Sequence, residues 1–235
     1  MTFLFLGLLA GSMHVLTGPD HLAAVAPYAV EERGRRAWLV GLRWGVGHTS
    51  GVWIVSLLAF LLREVLPVEW LSLWSERLVG VVLIAIGVWG VRAALTRRRL
   101  LHADEHGHED GTRHAHVHVH ASGDVPHHHS GAAHRQHTHA PLAVGTLHGL
   151  AGSSHLLGVL PALALPSRSA AAAYLLAFGL GSIAAMALFS SVIGLAAGRF
   201  AGPTGSRTWN ALMGACSLAA VGVGVWWLAQ AAGMA

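Results

Sequence analysis

Six long apolar segments alternate with short polar stretches along this chain. They cover residues 2–30, 37–62, 70–95, 141–166, 170–197 and 208–234. Because an α-helix rises about 1.5 Å per residue, each segment is long enough to cross the roughly 30 Å hydrocarbon layer of a membrane. Hydrophobic residues make up 54% of the 235 residues and charged residues only 11%, far from the balance of a soluble domain. The pattern predicts an all-α integral membrane protein with six transmembrane helices.

A linker of different composition separates the third and fourth segments. Residues 96–140 hold 13 of the 18 histidines and five acidic residues, with almost nothing large and apolar. Such a segment cannot bury enough apolar surface to offset the loss of chain entropy. The alternating histidines that follow Arg113 would suit a strand, but no apolar face accompanies them. We therefore predict a disordered loop at 96–140 between membrane units at 1–95 and 141–235.

The two membrane units are copies of one another. The segment His14–Pro27 returns 134 residues later as His148–Pro161, with both histidines, a glycine and the final proline in register. The same offset carries Trp44–His48 onto Phe178–Ser182. Each copy has three predicted spans, and an odd number makes the second copy enter from the opposite side. The sequence thus predicts two inverted three-helix repeats, an arrangement common in secondary transporters.

The distribution of arginine sets the predicted orientation. Lysine is absent, and ten arginines lie in the loops after spans one, three and five, against two in the other loops. By the positive-inside rule, the arginine-rich loops and the histidine-rich loop are cytoplasmic, and both termini lie outside the cell (inner or plasma) membrane. The first apolar segment has no arginine before Arg33, so we expect a retained span rather than a cleaved signal peptide. Arginine at loop ends also accounts for the positive net charge of the chain. This charge therefore indicates membrane topology, and nucleic acid is not an expected partner.

A break is predicted in the first span at Gly18-Pro19. Proline lacks a backbone donor and clashes with the carbonyl four residues earlier, and it disfavours α geometry at the residue before it. We expect two half-helices, with Pro19 opening the second and Asp20 in its first turn. Carbonyl groups freed near Val15 and Leu16 would face the protein interior, where a cation can use them.

Several polar side chains lie near the predicted middle of the membrane. Counting residues from the span ends brings His14, His48 and His155 within a few ångströms of mid-depth. Asp20 is the clearest acid inside any span, and an ionised carboxylate there costs at least about 2.5–3.5 kcal/mol unless it is paired. A cation or a proton is its expected partner. The predicted metal ligands are His14, Asp20, His21, His48, His148 and His155.

The ligand types narrow the choice of metal. Imidazoles with one carboxylate and no thiolate suit Ni²⁺, Co²⁺, Zn²⁺ or Cu²⁺, and the single cysteine, Cys216, excludes a thiolate-rich site. The linker offers a second set of imidazoles that we expect to bind late transition metals weakly and at several points. That accessory set comprises His114, His116, His118, His120, His127, His128 and His129.

The spacing His14-x5-Asp20-His21 resembles the first-span signature of the nickel/cobalt transporter superfamily, particularly its small NicO, UreH-like and HupE/UreJ-like members. Gly45-Val46-Gly47-His48 stands where those proteins carry a Gly-x-Gly-His segment, and their internal loops are also rich in histidine. Larger relatives have one residue fewer between His and Asp, and the second repeat here has Ser153-Ser154 in place of Pro19-Asp20. The resemblance implies a Ni²⁺/Co²⁺ permease in which His14, Asp20 and His21 bind the ion.

These observations favour a transporter and not an enzyme. No Gly-x4-Gly-Lys-Ser/Thr loop is present, so we expect secondary transport without ATP hydrolysis, with Ni²⁺ or Co²⁺ as substrate and no prosthetic group. Import is favoured, because a negative cell interior attracts a divalent cation. Proton-coupled efflux and a zinc permease are the alternatives, and a haem-binding electron carrier is a distant one. The expected partners are the metal ion, the lipid bilayer and, as one candidate, a cytoplasmic nickel chaperone.

Overall fold

A computed structural model describes residues 1–62, 68–99, 101–107, 113–119, 139–151, 161–162, 164–199 and 206–233. The long helices in these ranges are α1 (Thr2–Thr17), α2 (Pro19–Glu32), α3 (Trp38–Leu62), α4 (Val68–Arg99), α5 (Ala140–Ala151), α6 (Arg168–Arg199) and α7 (Ser206–Gly233). A short 3₁₀ helix, Gly34–Ala37, joins α2 to α3, and two strands follow α4. The long elements of the described membrane segments are all helices, as predicted.

Three helices of the described part are long and apolar enough to cross a membrane. They are Glu76–Thr96 within α4, Arg168–Arg199 and Arg207–Gly233, and a fourth span results if α1 and α2 count as one bent span. Helix α5, by contrast, is a shorter apolar helix. A membrane protein is therefore supported by the length and composition of these helices. Six spans in an inverted arrangement stay a prediction.

The predicted break in the first span is confirmed. Helix α1 ends at Thr17 and α2 begins at Pro19, and the two axes are bent by 74°. Gly18 between them is extended, with φ −84° and ψ 102°, and its N–H donates to the carbonyl of His14. Proline at the first position of α2 needs no backbone donor there, which is why the helix restarts at this residue. The last turn of α1 and the first turn of α2 thus meet at one point.

Helix α2 lies inside the helical assembly. Nine of its 14 residues are buried, whereas only three of the 16 residues of α1 are. It contacts both α6 and α7, and the indole Nε1 of Trp209 on α7 donates to the carbonyl of Val30 at 3.1 Å. These contacts fix the half-helix that carries Asp20 and His21.

Glycines let the helices approach until backbone meets backbone. Four contacts of this kind join α1 to α6 and α3 to α5, and they form two pairs related by the 134-residue offset. Gly11 lies against the Phe178 carbonyl as Gly145 lies against that of Trp44, and Gly181 lies against the Leu8 carbonyl as Gly47 lies against that of Leu142. Small residues at such interfaces are the usual means of close helix packing in membranes. The internal repeat of the sequence is therefore also a repeat of helix contacts.

The linker contains structure that the sequence did not predict. Leu101–Gly107 and Arg113–Val119 form an antiparallel two-stranded sheet, here β1 and β2. For these two segments the structure differs from the predicted disordered loop. The physical reason lies in the alternation of residue types, since a two-residue period matches the geometry of a strand. Linker residues 100, 108–112 and 120–138 lie outside the described residues.

The glycine contacts give a test of packing. Replacing Gly145 by alanine should destabilise the protein by about 1–3 kcal/mol, because the added methyl group would overlap the backbone carbonyl of Trp44. Replacing the exposed Gly222 by alanine is the matched control, because nothing lies within 4 Å of its new methyl group. The measurement is thermal unfolding of both variants in detergent, followed by circular dichroism. Equal melting temperatures for the two variants would contradict the close approach of α3 and α5.

Candidate metal centre

Five of the six predicted ligands meet at the break in the first span. His14 lies in the last turn of α1, Asp20 and His21 in the first turn of α2, His48 in α3 and His148 in the last turn of α5. Four helices from both repeats therefore contribute to one cluster. The sixth predicted ligand, His155, lies at 152–160, outside the described residues.

The Asp20 carboxylate is the centre of this cluster. One oxygen, Oδ1, is 3.0 Å from His21 Nδ1, and the other, Oδ2, is 3.1 Å from His148 Nε2. Asp20 is only 4% exposed, and His21 and His148 are each 1% exposed. Ring N–H groups can donate to both oxygens, so the carboxylate is held by one imidazole from each repeat. Burying this charge is tolerable only because it is paired in this way.

Two groups of potential ligands overlap at His21. The first comprises His14, His21 and His48, and the second comprises Asp20, His21 and His148. Within each group the candidate ligand atoms all lie within 4.8 Å of one another. Two nitrogens bound to one ion at about 2.0–2.1 Å are at most about 4.2 Å apart, so small side-chain rotations would complete either set.

The two groups give Asp20 two different roles. In the first, its carboxylate would orient His21 through Nδ1, as carboxylates commonly do for metal-bound histidines. In the second, the carboxylate would be a ligand itself. His14 is half-buried while Asp20, His21, His48 and His148 are buried, so the cluster opens on the side of His14.

Two aromatic rings, those of Trp44 and Phe178, pack against the imidazoles of the cluster. The ring of Trp44 stacks on that of His48 with centroids 5.0 Å apart and planes 19° apart, and it lies 5.2 Å from His148. Phe178, at the equivalent position of the second repeat, lies 5.5 Å from His14. The sequence prediction missed these two residues as part of the site. One signal was available, because Trp44 precedes His48 by one helical turn and therefore shares its face.

Among the described residues, fewer candidate ligands of the centre come from the second repeat than from the first. Ser182 occupies the position equivalent to His48, and its buried hydroxyl donates to the carbonyls of Gly11 and Phe178 at 3.2 and 3.0 Å. Its role in the described structure is to join α6 to α1. The cluster is consequently asymmetric, with four ligand candidates from the first repeat and one, His148, from the described part of the second.

The accessory histidines of the linker are only partly described. His114, His116 and His118 are residues of strand β2. His120, His127, His128 and His129 lie outside the described residues. Metal binding by this set stays a prediction.

Curated proteins from two organisms are similar to this chain. The chloroplast protein FOR GROWTH AND FERTILITY 2 of Arabidopsis thaliana is 33% identical over 226 residues, which is 96% of this chain and 55% of the relative. The chloroplast protein FOR GROWTH AND FERTILITY 1 of the same plant is 36% identical over 195 residues, which is 83% of this chain and 50% of the relative. This chain thus spans about half the length of both plant proteins.

A bacterial protein is similar at a greater distance. The urease accessory protein UreH of Bacillus sp. (strain TB-90) is 29% identical over 196 residues, which is 83% of this chain and 77% of the relative. This distant homology weakly supports the UreH-like resemblance, while membership of the wider nickel/cobalt transporter superfamily stays a prediction. No family model and no solved structure matches the chain.

The shared carboxylate leads to a prediction about binding. Replacing His148 by alanine should weaken the tightest Ni²⁺ binding about tenfold or more, because a ligand is lost and Asp20 loses one of its two imidazole partners. Replacing the exposed His139 by alanine removes an imidazole near the start of α5 and serves as the control. Equilibrium dialysis with ⁶³Ni²⁺ in detergent measures both. Unchanged tight binding in His148→Ala would exclude this residue from the centre.

Proposed function

We propose that this protein is a secondary permease for Ni²⁺, with Co²⁺ as a second substrate, that works without ATP. The observation that carries the proposal is the cluster at the broken helix, which consists of three buried imidazoles, the half-buried imidazole of His14 and one buried carboxylate. A site of this kind inside apolar helices is typical of an ion pathway, because ionisable groups are costly in a membrane and are found there mostly where they function. Broken helices at the substrate site are also characteristic of secondary transporters.

The chemistry of the ligands favours late divalent transition metals. Neutral imidazoles bind Ni²⁺, Co²⁺, Zn²⁺ and Cu²⁺ well, whereas Mg²⁺ and Ca²⁺ prefer more oxygen ligands than this cluster offers. The choice of Ni²⁺ and Co²⁺ within this group rests on the resemblance of the His14-x5-Asp20-His21 spacing to nickel/cobalt transporters. Zn²⁺ is the rival substrate, because the same ligands suit it.

The repeated helix contacts support an inverted-repeat transporter. The contacts of α1 with α6 have counterparts in those of α5 with α3, at positions offset by 134 residues. In transporters with inverted repeats, the two halves exchange conformations so that a fixed central site faces each side in turn. The centre described above lies where residues of both repeats meet, as this mechanism requires.

The bacterial relative supports the proposal, whereas the names of the two plant relatives neither support nor oppose it. Similarity to a protein named as a urease accessory protein supports a role in metal supply, at 29% identity. The Arabidopsis relatives are named for growth and fertility and for the chloroplast, and these names specify no ion. A role other than nickel or cobalt transport is therefore open for the plant relatives.

Import is the direction that the energetics favour. A divalent cation gains about 4.6 kcal/mol per 100 mV on entering a negative-inside cell, at about 2.3 kcal/mol per charge, which corresponds to roughly thousandfold accumulation. Efflux would need proton coupling through Asp20 or a histidine. With the predicted orientation, the histidine-rich linker would receive the incoming ion in the cytoplasm and pass it to a nickel chaperone.

Transport in proteoliposomes tests this proposal. With a negative-inside potential, the wild-type protein should accumulate ⁶³Ni²⁺, and Asp20→Ala and His21→Ala should each abolish the flux, because both groups of ligands use or depend on these residues. His139→Ala is the control and should transport normally. Competition by Co²⁺ stronger than by Zn²⁺ would support the assigned substrate.

Other outcomes identify the alternatives. Accumulation that depends on an opposing proton gradient, and not on the potential, would make the protein an exporter. Stronger competition by Zn²⁺ would make it a zinc permease. A Soret absorption band in the purified protein would indicate haem and would overturn the proposal.

A further inference from the structure

The indole ring of Trp44 contacts three of the four imidazoles of the centre. Its centroid lies 5.0 Å from that of His48, 5.2 Å from that of His148 and 5.9 Å from that of His21. These histidines belong to α3, α5 and α2. Trp44 itself is 0% exposed, so its ring closes this side of the centre. One side chain therefore touches candidate ligands from three helices and from both repeats.

The rings of Trp44, His48 and His14 form a stack. The planes of Trp44 and His48 are 19° apart, and those of His48 and His14 are 17° apart with centroids separated by 5.8 Å. A ring that packs against a neighbouring ring is hindered from tilting. Because the lone pair of an imidazole nitrogen lies in the plane of the ring, the plane of His48 determines where this residue can hold an ion. Trp44 thus restrains the direction in which His48 presents its nitrogens.

The centre contains two kinds of restraint on its imidazoles. The Asp20 carboxylate lies 3.0 Å from His21 Nδ1 and 3.1 Å from His148 Nε2, and a carboxylate in this position commonly orients a metal-bound histidine. Hydrogen bonds of this type act on the edge of a ring. Trp44 adds a restraint that acts on the face of a ring, at His48. The ligands are consequently fixed in orientation as well as in position.

The internal repeat contains the same aromatic contact twice. Phe178 corresponds to Trp44, and His148 corresponds to His14, at the offset of 134 residues. Trp44 lies 5.2 Å from His148 with planes 50° apart, and Phe178 lies 5.5 Å from His14 with planes 40° apart. Each repeat therefore places one aromatic ring against the histidine of the other repeat in nearly the same geometry. The two rings differ in size, and the aromatic face is what they have in common.

The polar group of Trp44 takes no part in this arrangement. Its indole N–H is buried and has no hydrogen-bond partner among the described residues, whereas a buried indole N–H usually has one. Phe178, at the equivalent position, has no such group. The contact with the imidazoles thus depends on the face of the ring, which phenylalanine can also supply.

We propose that Trp44 is a positioning residue of the metal centre, and that by holding the ring of His48 it makes the centre select Ni²⁺ over Zn²⁺. This assignment rests on the proposed function, in which Ni²⁺ is the ion bound. Zn²⁺ has no geometric preference from its d electrons, and selectivity between late transition metals is achieved largely by geometry. Imidazoles that are free to tilt accommodate Zn²⁺ readily, whereas a fixed set favours the ion whose geometry it matches.

Two substitutions of Trp44 test this assignment. Trp44→Leu keeps an apolar side chain but removes the aromatic face, and it should weaken Ni²⁺ binding about tenfold or more. Zn²⁺ binding should weaken less, so the preference for Ni²⁺ falls. Trp44→Phe restores an aromatic face and should recover most of the affinity and of the preference. Equilibrium dialysis with ⁶³Ni²⁺ in detergent, with Zn²⁺ as competitor, gives both dissociation constants.

A second stacked tryptophan provides the matched control. Trp89 on α4 stacks on Tyr28, with centroids 5.0 Å apart and planes 25° apart. Trp89→Leu removes a stack of similar geometry that contains no imidazole, and it should leave the preference for Ni²⁺ unchanged. An equal loss of preference in Trp89→Leu and Trp44→Leu would show that selectivity follows general packing, and it would overturn the proposal. An unchanged preference in Trp44→Leu would overturn it as well.

Bound Co²⁺ reports on the arrangement of the ligands. Its visible absorption bands depend on the number and geometry of the ligands. We expect these bands to shift in Trp44→Leu and to keep their wild-type positions in Trp44→Phe and Trp89→Leu. A variant that had lost only stability would bind less Co²⁺ with an unaltered spectrum. That result in Trp44→Leu would exclude a positioning role.

Measurement of binding in detergent keeps this proposal distinct from transport. Wild-type protein that prefers Ni²⁺ to Zn²⁺ but shows no flux in proteoliposomes would overturn the permease and leave the assignment of Trp44 intact. Flux in Trp44→Leu with the wild-type preference would do the reverse. Wild-type protein that prefers Zn²⁺, or that binds neither ion, would overturn the role of Trp44 in selecting Ni²⁺.

Discussion

A single buried carboxylate is the constraint on which the membrane part of this chain depends. Asp20 is almost fully buried among apolar helices, where an unpaired charge would be strongly unfavourable. Imidazoles of His21 and His148 satisfy its two oxygens, so α2 of the first repeat and α5 of the second must remain together. Contacts such as that of Gly149 with the carbonyl of His48 bring α5 close enough for this pairing. The close packing of the helices and the pairing of the Asp20 carboxylate therefore depend on each other.

The break at Gly18 serves the same end. An unbroken helix would keep backbone donors and acceptors paired along its whole length and would direct His14 and Asp20 away from one another around its axis. The bend of 74° instead brings the end of one half-helix and the start of the next to the same point, where His48 and His148 complete the cluster. His21 belongs to both groups of potential ligands, so in the proposed permease this one residue would connect the two positions at which an ion could bind.

The sequence predicted those features that have local causes. Proline chemistry alone predicts the broken helix, and two histidines in register across the repeat, His14 and His148, are two of the five residues of the centre. The sequence analysis did not identify Trp44 as part of the site. Its role depends on which rings pack against it in three dimensions, and tryptophan in a membrane helix usually faces lipid or an interface. The sequence analysis did not predict the strands at 101–107 and 113–119, because the composition of the linker favoured disorder in spite of the alternation that follows Arg113. The number of spans depends on how α3 and α5 lie in the bilayer, which periodicity does not determine.

The long separation between Asp20 and its second partner has a consequence for biogenesis. His148 follows Asp20 by 128 residues, so at about 5–20 residues per second a ribosome needs roughly 6–26 s to produce it. During that interval the half-helices emerge before α5 exists to pair with them, and α1 alone, with 16 residues, extends only about 24 Å. The half-helices that carry His14 and Asp20 are therefore synthesised well before their partner, and the pairing of Asp20 with His148 can form only after the second repeat has followed.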